Sequence, residues 1–132
     1  MKKYVFIFLL TLLPMMASAD ESGTCGDNLT WTFESATSTL TIAGDGAMYN
    51  YSYQNAPWSS LRDAIKTIVL EDGLTSIGKY AFCECYRLRS VTIGNSVTSI
   101  RECAFLGCNG LTSVTIPNSV TSIGTSAFNS CI

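Results

Sequence analysis

The side chains most able to do chemistry here are six cysteines: Cys25, Cys83, Cys85, Cys103, Cys108 and Cys131. A thiolate can attack a carbonyl, hold a soft metal or form a disulfide. Carbonyl attack in the Cys–His manner needs an imidazole base, and the chain contains no histidine. That absence also excludes Ser-His-Asp hydrolysis and every metal site built on histidine. Phosphate-cradling glycine motifs are missing as well. Glu71-Asp72 is an acidic pair, but acid–base work needs a pocket and a partner group, and the pattern around it offers neither. A C-x-C at 83–85 with a C-x4-C at 103–108 loosely resembles a four-thiolate zinc site. No catalytic, cofactor-binding or metal residue is assigned on these signals.

The elements that position the thiols explain more of them. From Ile65 onward the chain repeats with a period of 23: residues 65–87, 88–110 and 111–132. The second and third copies agree at 14 of 22 aligned positions. Apolar residues recur in columns: Ile65/Leu88/Leu111, Ile68/Val91/Val114, Leu70/Ile93/Ile116, Leu74/Val97/Val120 and Ile77/Ile100/Ile123. Ala81/Ala104/Ala127, Phe82/Phe105/Phe128 and Cys85/Cys108/Cys131 complete the set. No single 23-residue unit can bury so many apolar groups, but stacked units bury them against one another. Val114-Thr115-Ile116 alternates as a short strand should, Pro117-Asn118 turns the chain, and Val120–Ile123 is a second extended piece. Thr125–Phe128 reads as one helical turn on the outer side. Parallel Cβ vectors in stacked rungs ~4.8 Å apart suit a ladder of free buried thiols at Cys85, Cys108 and Cys131 better than disulfides. A Cys83–Cys103 bridge between neighbouring rungs stays open, and so does the state of Cys25.

The phrase L-x-x-V-x-I-P-x-S-V-T-S-I-G-x-x-A-F-x-x-C, carried in full by copy three, resembles the BspA-like leucine-rich repeat of bacterial surface proteins. Copy two departs at Gly94 and Arg101, and copy one has Glu71-Asp72-Gly73 in the turn. Upstream, Gly23–Trp31, Leu40-Thr41-Ile42, Gly44–Met48 and Ala56-Pro57-Trp58 resemble the segment that precedes such repeats. The resemblance implies a leucine-rich-repeat solenoid of short parallel strands, exported, adhesive toward a host or neighbouring-cell protein, and without catalytic residues. It also makes the sequons at Asn28 and Asn50 uninformative, because it points to bacteria.

Residues 20–64 read as an N-terminal cap. LTWTFE (29–34) and TLTIA (39–43) alternate around a polar stretch and predict a β-hairpin, whose apolar face must cover the open end of the first rung. A short helix is expected from Ser59 or Ser60 to Ile65. Between them lies an aromatic patch, Tyr49, Tyr51, Tyr53 and Trp58. It is either a stacking platform for carbohydrate or the packing that hides a rung end, and the area aromatics cover favours packing.

Residues 1–19 have the form of a signal peptide: Lys2-Lys3, an apolar run, then Ala17-Ser18-Ala19. Asp20, not cysteine, would follow the cut, so a lipoprotein is not expected, nor is membrane insertion after cleavage. The expected location is secreted or at the cell surface. Formal net charge is −2 with 8 Lys and Arg, which argues against nucleic acid as a partner. The candidate concave binding face is Thr67, Val69, Ser90, Thr92, Ser113 and Thr115. Three rungs of it offer ~200 Å², against ~800 Å² per partner in a standard interface. The sequence stops at Ile132 inside a repeat, which reads as a piece of a longer solenoid, or as an open rung able to associate end to end.

Overall fold

Alternation of apolar and hydroxyl residues makes most of this chain extended, and the computed structural model, which describes residues 20–131, is accordingly built from eight short strands. The proposed signal peptide lies outside the described residues. The strands are β1 (Glu21–Gly26), β2 (Asn28–Glu34), β3 (Thr39–Ala47), β4 (Thr67–Leu70), β5 (Leu74–Ile77), β6 (Ser90–Ile93), β7 (Ser99–Ile100) and β8 (Ser122–Ile123).

The expected hairpin forms, β2 against β3, and β1 adds a third antiparallel strand to the cap. β1 pairs with β2 and β2 with β3, in a register that places Trp31 opposite Ile42 and Phe33 opposite Leu40. Leu29, Trp31, Phe33, Leu40 and Ile42 all face inward and are buried. The cap does more than lie over the first rung. β3 runs parallel to β4, with Leu40 beside Ile68 and Ile42 beside Leu70, and its end at Gly46–Ala47 pairs with β5. β3 therefore serves as an extra rung in both ladders of the stack. The chain leaving it packs equally close: a Cβ on Gly78 would stand 1.9 Å from the Tyr49 carbonyl, so only glycine fits there.

Within the repeats, residues 23 apart pair in parallel: Thr67 with Ser90 through Leu70 with Ile93, Ser76 with Ser99, and Ser99 with Ser122. The apolar columns point into one core, where Ile68, Leu74, Ile77, Leu88, Val97 and Phe105 are fully buried. Along the second ladder Thr98 and Thr121 each give both the amide and the hydroxyl to the carbonyl one rung back. Thr98 donates from N at 2.8 Å and from Oγ1 at 3.1 Å to Thr75 O, and Thr121 repeats this on Thr98 O.

Three expectations are corrected. The outer stretch Thr125–Phe128 is not a helical turn. It consists of tight turns closed by Ala127 N to Gly124 O and Asn129 N to Ser126 O, with Ser126 (φ 60) and Ser130 (φ 63) left-handed. Tyr80 and Cys103, and Glu84 and Gly107, hold the same conformations in the rungs before. Left-handed residues stop a right-handed helix. The freed amides bond between rungs instead, as with Phe82 N to Ala104 O and Phe105 N to Ala127 O, both 2.7 Å. The helix expected from Ser59 to Ile65 is a single 3-10 turn, Ser59–Leu61, without a side-chain cap. So short a segment cannot repay helix nucleation before Ile65 must enter the core. Third, Val114–Ile116 forms no strand, and none of the amides from Thr112 to Ile116 bonds to the preceding rung.

Candidate interaction face

Strand alternation sends the residues between the core positions outward. On β4 these are Thr67 and Val69, and on β6 Ser90 and Thr92, four of the six residues expected on the binding face. Ser113 and Thr115 are exposed but lie outside any strand, so they are not aligned with the rest. The face grows in the other direction, onto the cap. Pairing aligns Ser22, Thr32, Thr41, Val69 and Thr92 in one row across five strands. A second row runs Glu34, Thr39, Thr67, Ser90. Thr24, Thr30 and Ala43 form a third. The face is methyl and hydroxyl throughout, with one carboxylate at its rim. Sequence reading missed the cap half because it treated the hairpin as a lid. The signal was present in Thr30-x-Thr32 and Thr39-x-Thr41, which copy the Thr67-x-Val69 and Ser90-x-Thr92 pattern of the repeats.

The aromatic patch does not exist as one surface. Trp58 is 1% exposed and stacks on Phe82 at 5.3 Å, while its Nε1 donates to Ala81 O at 2.7 Å. It thus begins the column that continues as Phe82–Phe105 at 5.3 Å and Phe105–Phe128 at 5.2 Å. Trp31 and Tyr51 meet Trp58 edge-on. Tyr51 is half-buried, and burial holds its hydroxyl well above the ordinary phenol range. Tyr49 and Tyr53 are exposed but tied down. Tyr49 Oη donates to Asp27 at 3.0 Å, and Tyr53 Oη and Gln54 Nε2 both donate to the Glu84 carboxylate. That carboxylate pushes the Tyr53 phenol up to about 12, and the same bond lowers Glu84. The Tyr53 and Gln54 bonds anchor the cap loop to the first rung, and the Tyr49 bond ties it back to the turn between β1 and β2. They leave no coplanar pair of free rings around a common cleft.

All six cysteines are free thiols. Cys85 and Cys108 are buried, Cys131 is half-buried, and the three stand in successive rungs. Cys108 Sγ donates to Phe82 O at 3.2 Å and Cys131 Sγ to Phe105 O at 3.3 Å, so the ladder fastens each turn to the rung before it. The neighbouring Cys108 thiol and burial push Cys85 well above the ordinary thiol range, and burial takes Cys25 up to about 12. Such thiols are protonated and inert at neutral pH. Cys83 and Cys103 do not oppose each other, because Cys103 stacks in the column of Tyr80 and Cys83 in that of Leu106. Among the described residues no three of Cys, Asp and Glu converge on a point that could hold a metal ion. Nor is any helix among them long and apolar enough to cross a membrane.

Residues 60–132 match the family profile of the BspA type leucine rich repeat region, six copies. A leucine-rich repeat protein from Eubacterium ventriosum ATCC 27560 superposes with a TM-score of 0.75 at 34% identity, over 83% of this chain and 30% of that one. A leucine-rich repeat protein from Bacteroides ovatus ATCC 8483 superposes with a TM-score of 0.52 at 23% identity, over 80% of this chain and 32% of that one, a likeness of fold alone. The chain therefore spans about a third of the length of these two proteins. Comparison with curated proteins gave no match.

Proposed function

Because this chain belongs to the BspA-type leucine-rich-repeat family, we propose that it is a non-catalytic binding module, exported from a bacterial cell, whose five-strand Ser/Thr face engages a protein on a host or neighbouring cell. The observation that carries this reading is the continuity of that face across cap and repeats, from Ser22 through Thr32, Thr41 and Val69 to Thr92. Export rests on the Lys2-Lys3 start, the apolar run and Ala17-Ser18-Ala19.

The chemistry of the face sets the kind of binding. Hydroxyls on a pleated sheet give short hydrogen bonds with little side-chain entropy to lose, and their methyls add apolar area. No Trp or Arg anchor stands on it, so no single contact dominates. Five strands at ~4.8 Å and outward positions along ~13 Å of strand give roughly 250 Å², a third of one partner's share of a standard interface. One such face binds weakly, and useful avidity comes from several displayed together.

The test uses the labelled chain on fixed epithelial and bacterial cells. Saturable binding that protease treatment of the cells removes, and periodate oxidation of their glycans spares, supports a protein partner. The opposite pattern moves the ligand to carbohydrate. A purely structural role, closing one end of a stack, is favoured by the pairing of β3 with both ladders and predicts no saturable binding.

A further inference from the structure

Cations gather at one corner of the stack. Lys66 stands exposed just before β4, and Arg89 just before β6. Arg89 N donates to Lys66 O at 2.9 Å, so the two occupy the same place in neighbouring rungs. Tyr86 and Arg87 are exposed on the approach to Arg89, with Leu88 buried between the two arginines. The Arg89 stem reaches toward the third rung, where a Cβ on Gly110 would stand 3.7 Å from its Cδ. In the stretches 62–66, 85–89 and 108–112, which build this corner, Asp63 is the one carboxylate. Among the described residues the one ion pair is Lys79–Glu102, so none of Lys66, Arg87 and Arg89 is paired within the chain.

The repeat itself does not demand these charges. The fully paired first rung carries Asp63 and Ala64 where the second has Tyr86 and Arg87, and copy three has Thr112 in the column of Lys66 and Arg89. Like charges side by side on neighbouring strands are unfavourable. Their position suits them to a partner. The next residues along the strands, Thr67 and Ser90, belong to the second hydroxyl row of the outward face. Glu34, at the same end, lies two strands from Thr67. Beyond the far end of β4 stand Glu71 and Asp72, both exposed. Along β4 the face therefore runs from basic, through uncharged hydroxyls, to acidic.

We propose that Lys66, Tyr86, Arg87 and Arg89 form a docking rim for an acidic segment of the partner protein. The segment crosses rungs one and two with its carboxylates at Lys66 and Arg89, while the rest of the partner covers the hydroxyl rows. The arginines offer forked donors that match carboxylates, and Tyr86, 42% exposed, offers ring area. The rim thus holds the kind of anchor that the hydroxyl rows lack. Repulsion between Lys66 and Arg89 in the free chain becomes shared attraction in the complex, and the reversal of charge along β4 fixes which way round the partner sits. The rim's place at the edge of a binding face rests on the proposed function; its affinity for an acidic chain does not.

Fluorescence anisotropy of a dye-labelled oligoglutamate, titrated with the full chain at low salt, tests the rim. Wild type is compared with Lys66→Gln/Arg89→Gln and with Lys79→Gln/Arg101→Gln, which removes the same charge elsewhere. The expected result is saturable binding by wild type that weakens as salt rises, and full affinity in the Lys79/Arg101 variant. The rim variant should bind about fivefold more weakly, the loss of two exposed charge contacts. Its urea midpoint should be unchanged or raised; if it falls, Arg87→Gln carries the same comparison. No binding by wild type, or equal loss in both double variants, would overturn the proposal. Heparin or duplex DNA displacing the peptide at far lower concentration than free oligoglutamate would also overturn it, and assign the rim to another polyanion. Saturable cell binding that the rim variant keeps in full overturns the rim and leaves the proposed function. Capture of oligoglutamate by a chain that binds no cell does the reverse.

Discussion

At one end of the stack the chain turns back through three antiparallel strands, and at the other a rung of nearly the same sequence as its neighbour stands half-formed. The cap lends β3 to both ladders and puts Trp58, 1% exposed, onto Phe82. The third rung puts Phe128 onto Phe105 with rings only 3° from parallel, yet Phe128 is half-buried and Ile123 is 52% exposed. Copies two and three share 14 of 22 residues, so local preference does not separate them. What differs is the second neighbour. A rung between two others buries both faces of its columns, and a rung with one neighbour among the described residues buries one.

The bluntest way to break this contrast is to remove its strong side. Deleting residues 20–64 is expected to abolish cooperative urea unfolding, because rung one loses its partner in both ladders, whereas deleting residues 111–132 lowers the midpoint and leaves one transition. Repeats that still melt cooperatively without the cap would contradict the account. Next in size are single rings. Trp58→Ala removes a buried indole and its bond to Ala81 O, and should cost ~3–5 kcal/mol. Phe128→Ala, half-buried at the other end, should cost ~1 kcal/mol by the smaller area it loses. Equal urea shifts would mean that the two ends are equally built.

The contrast also has a pH signature. Burial raises the Cys25 thiol to about 12 in the folded chain against 9.0 when free. The unfolded chain therefore loses that proton first. The stability Cys25 contributes is complete below pH 9 and is lost as pH rises from 9 toward 12. Cys85 and Tyr51 add to the same slope with the same sign. Cys25→Ala should flatten the fall in the urea midpoint above pH 9. Cys131, at the weak end and only half-buried, should be modified by a thiol reagent well before Cys25 or Cys85. The smallest effect expected is at the Lys79–Glu102 pair, 3.8 Å apart with both side chains more than 40% exposed. Lys79→Met should change stability by less than ~0.5 kcal/mol.

The repeat was legible in the sequence because stacking demands the same residue type at the same place every 23 positions, so the apolar columns announce themselves. The β2–β3 alternation was legible for the same reason at a period of two. β1 was not. Gly23 and Gly26 dilute any strand pattern, and Gly23 stands where a Cβ would meet Trp31 Nε1 at 2.8 Å, a constraint set eight residues away by the folded sheet. The place of Trp58 in the phenylalanine column was hidden because the cap loop reaches it with a spacing of 24, outside the repeat period. The turns misread as helical take left-handed residues at Tyr80, Cys103 and Ser126, types that carry no local signal for that conformation. Half of the candidate face was legible, on β4 and β6. The rest depended on strand pairing between cap and repeats, which no local pattern encodes.

The central claim, that the Ser/Thr face is where a partner binds, is tested most directly by one cell-binding titration. It compares wild type with Thr41→Arg, in the middle of the longest hydroxyl row, and with Asn55→Arg, exposed on the cap loop away from it. The account predicts at least a tenfold loss of apparent affinity for Thr41→Arg, with an unchanged urea midpoint, and no loss for Asn55→Arg. Full binding by Thr41→Arg, or loss with Asn55→Arg alone, would contradict it and move the site off the sheet.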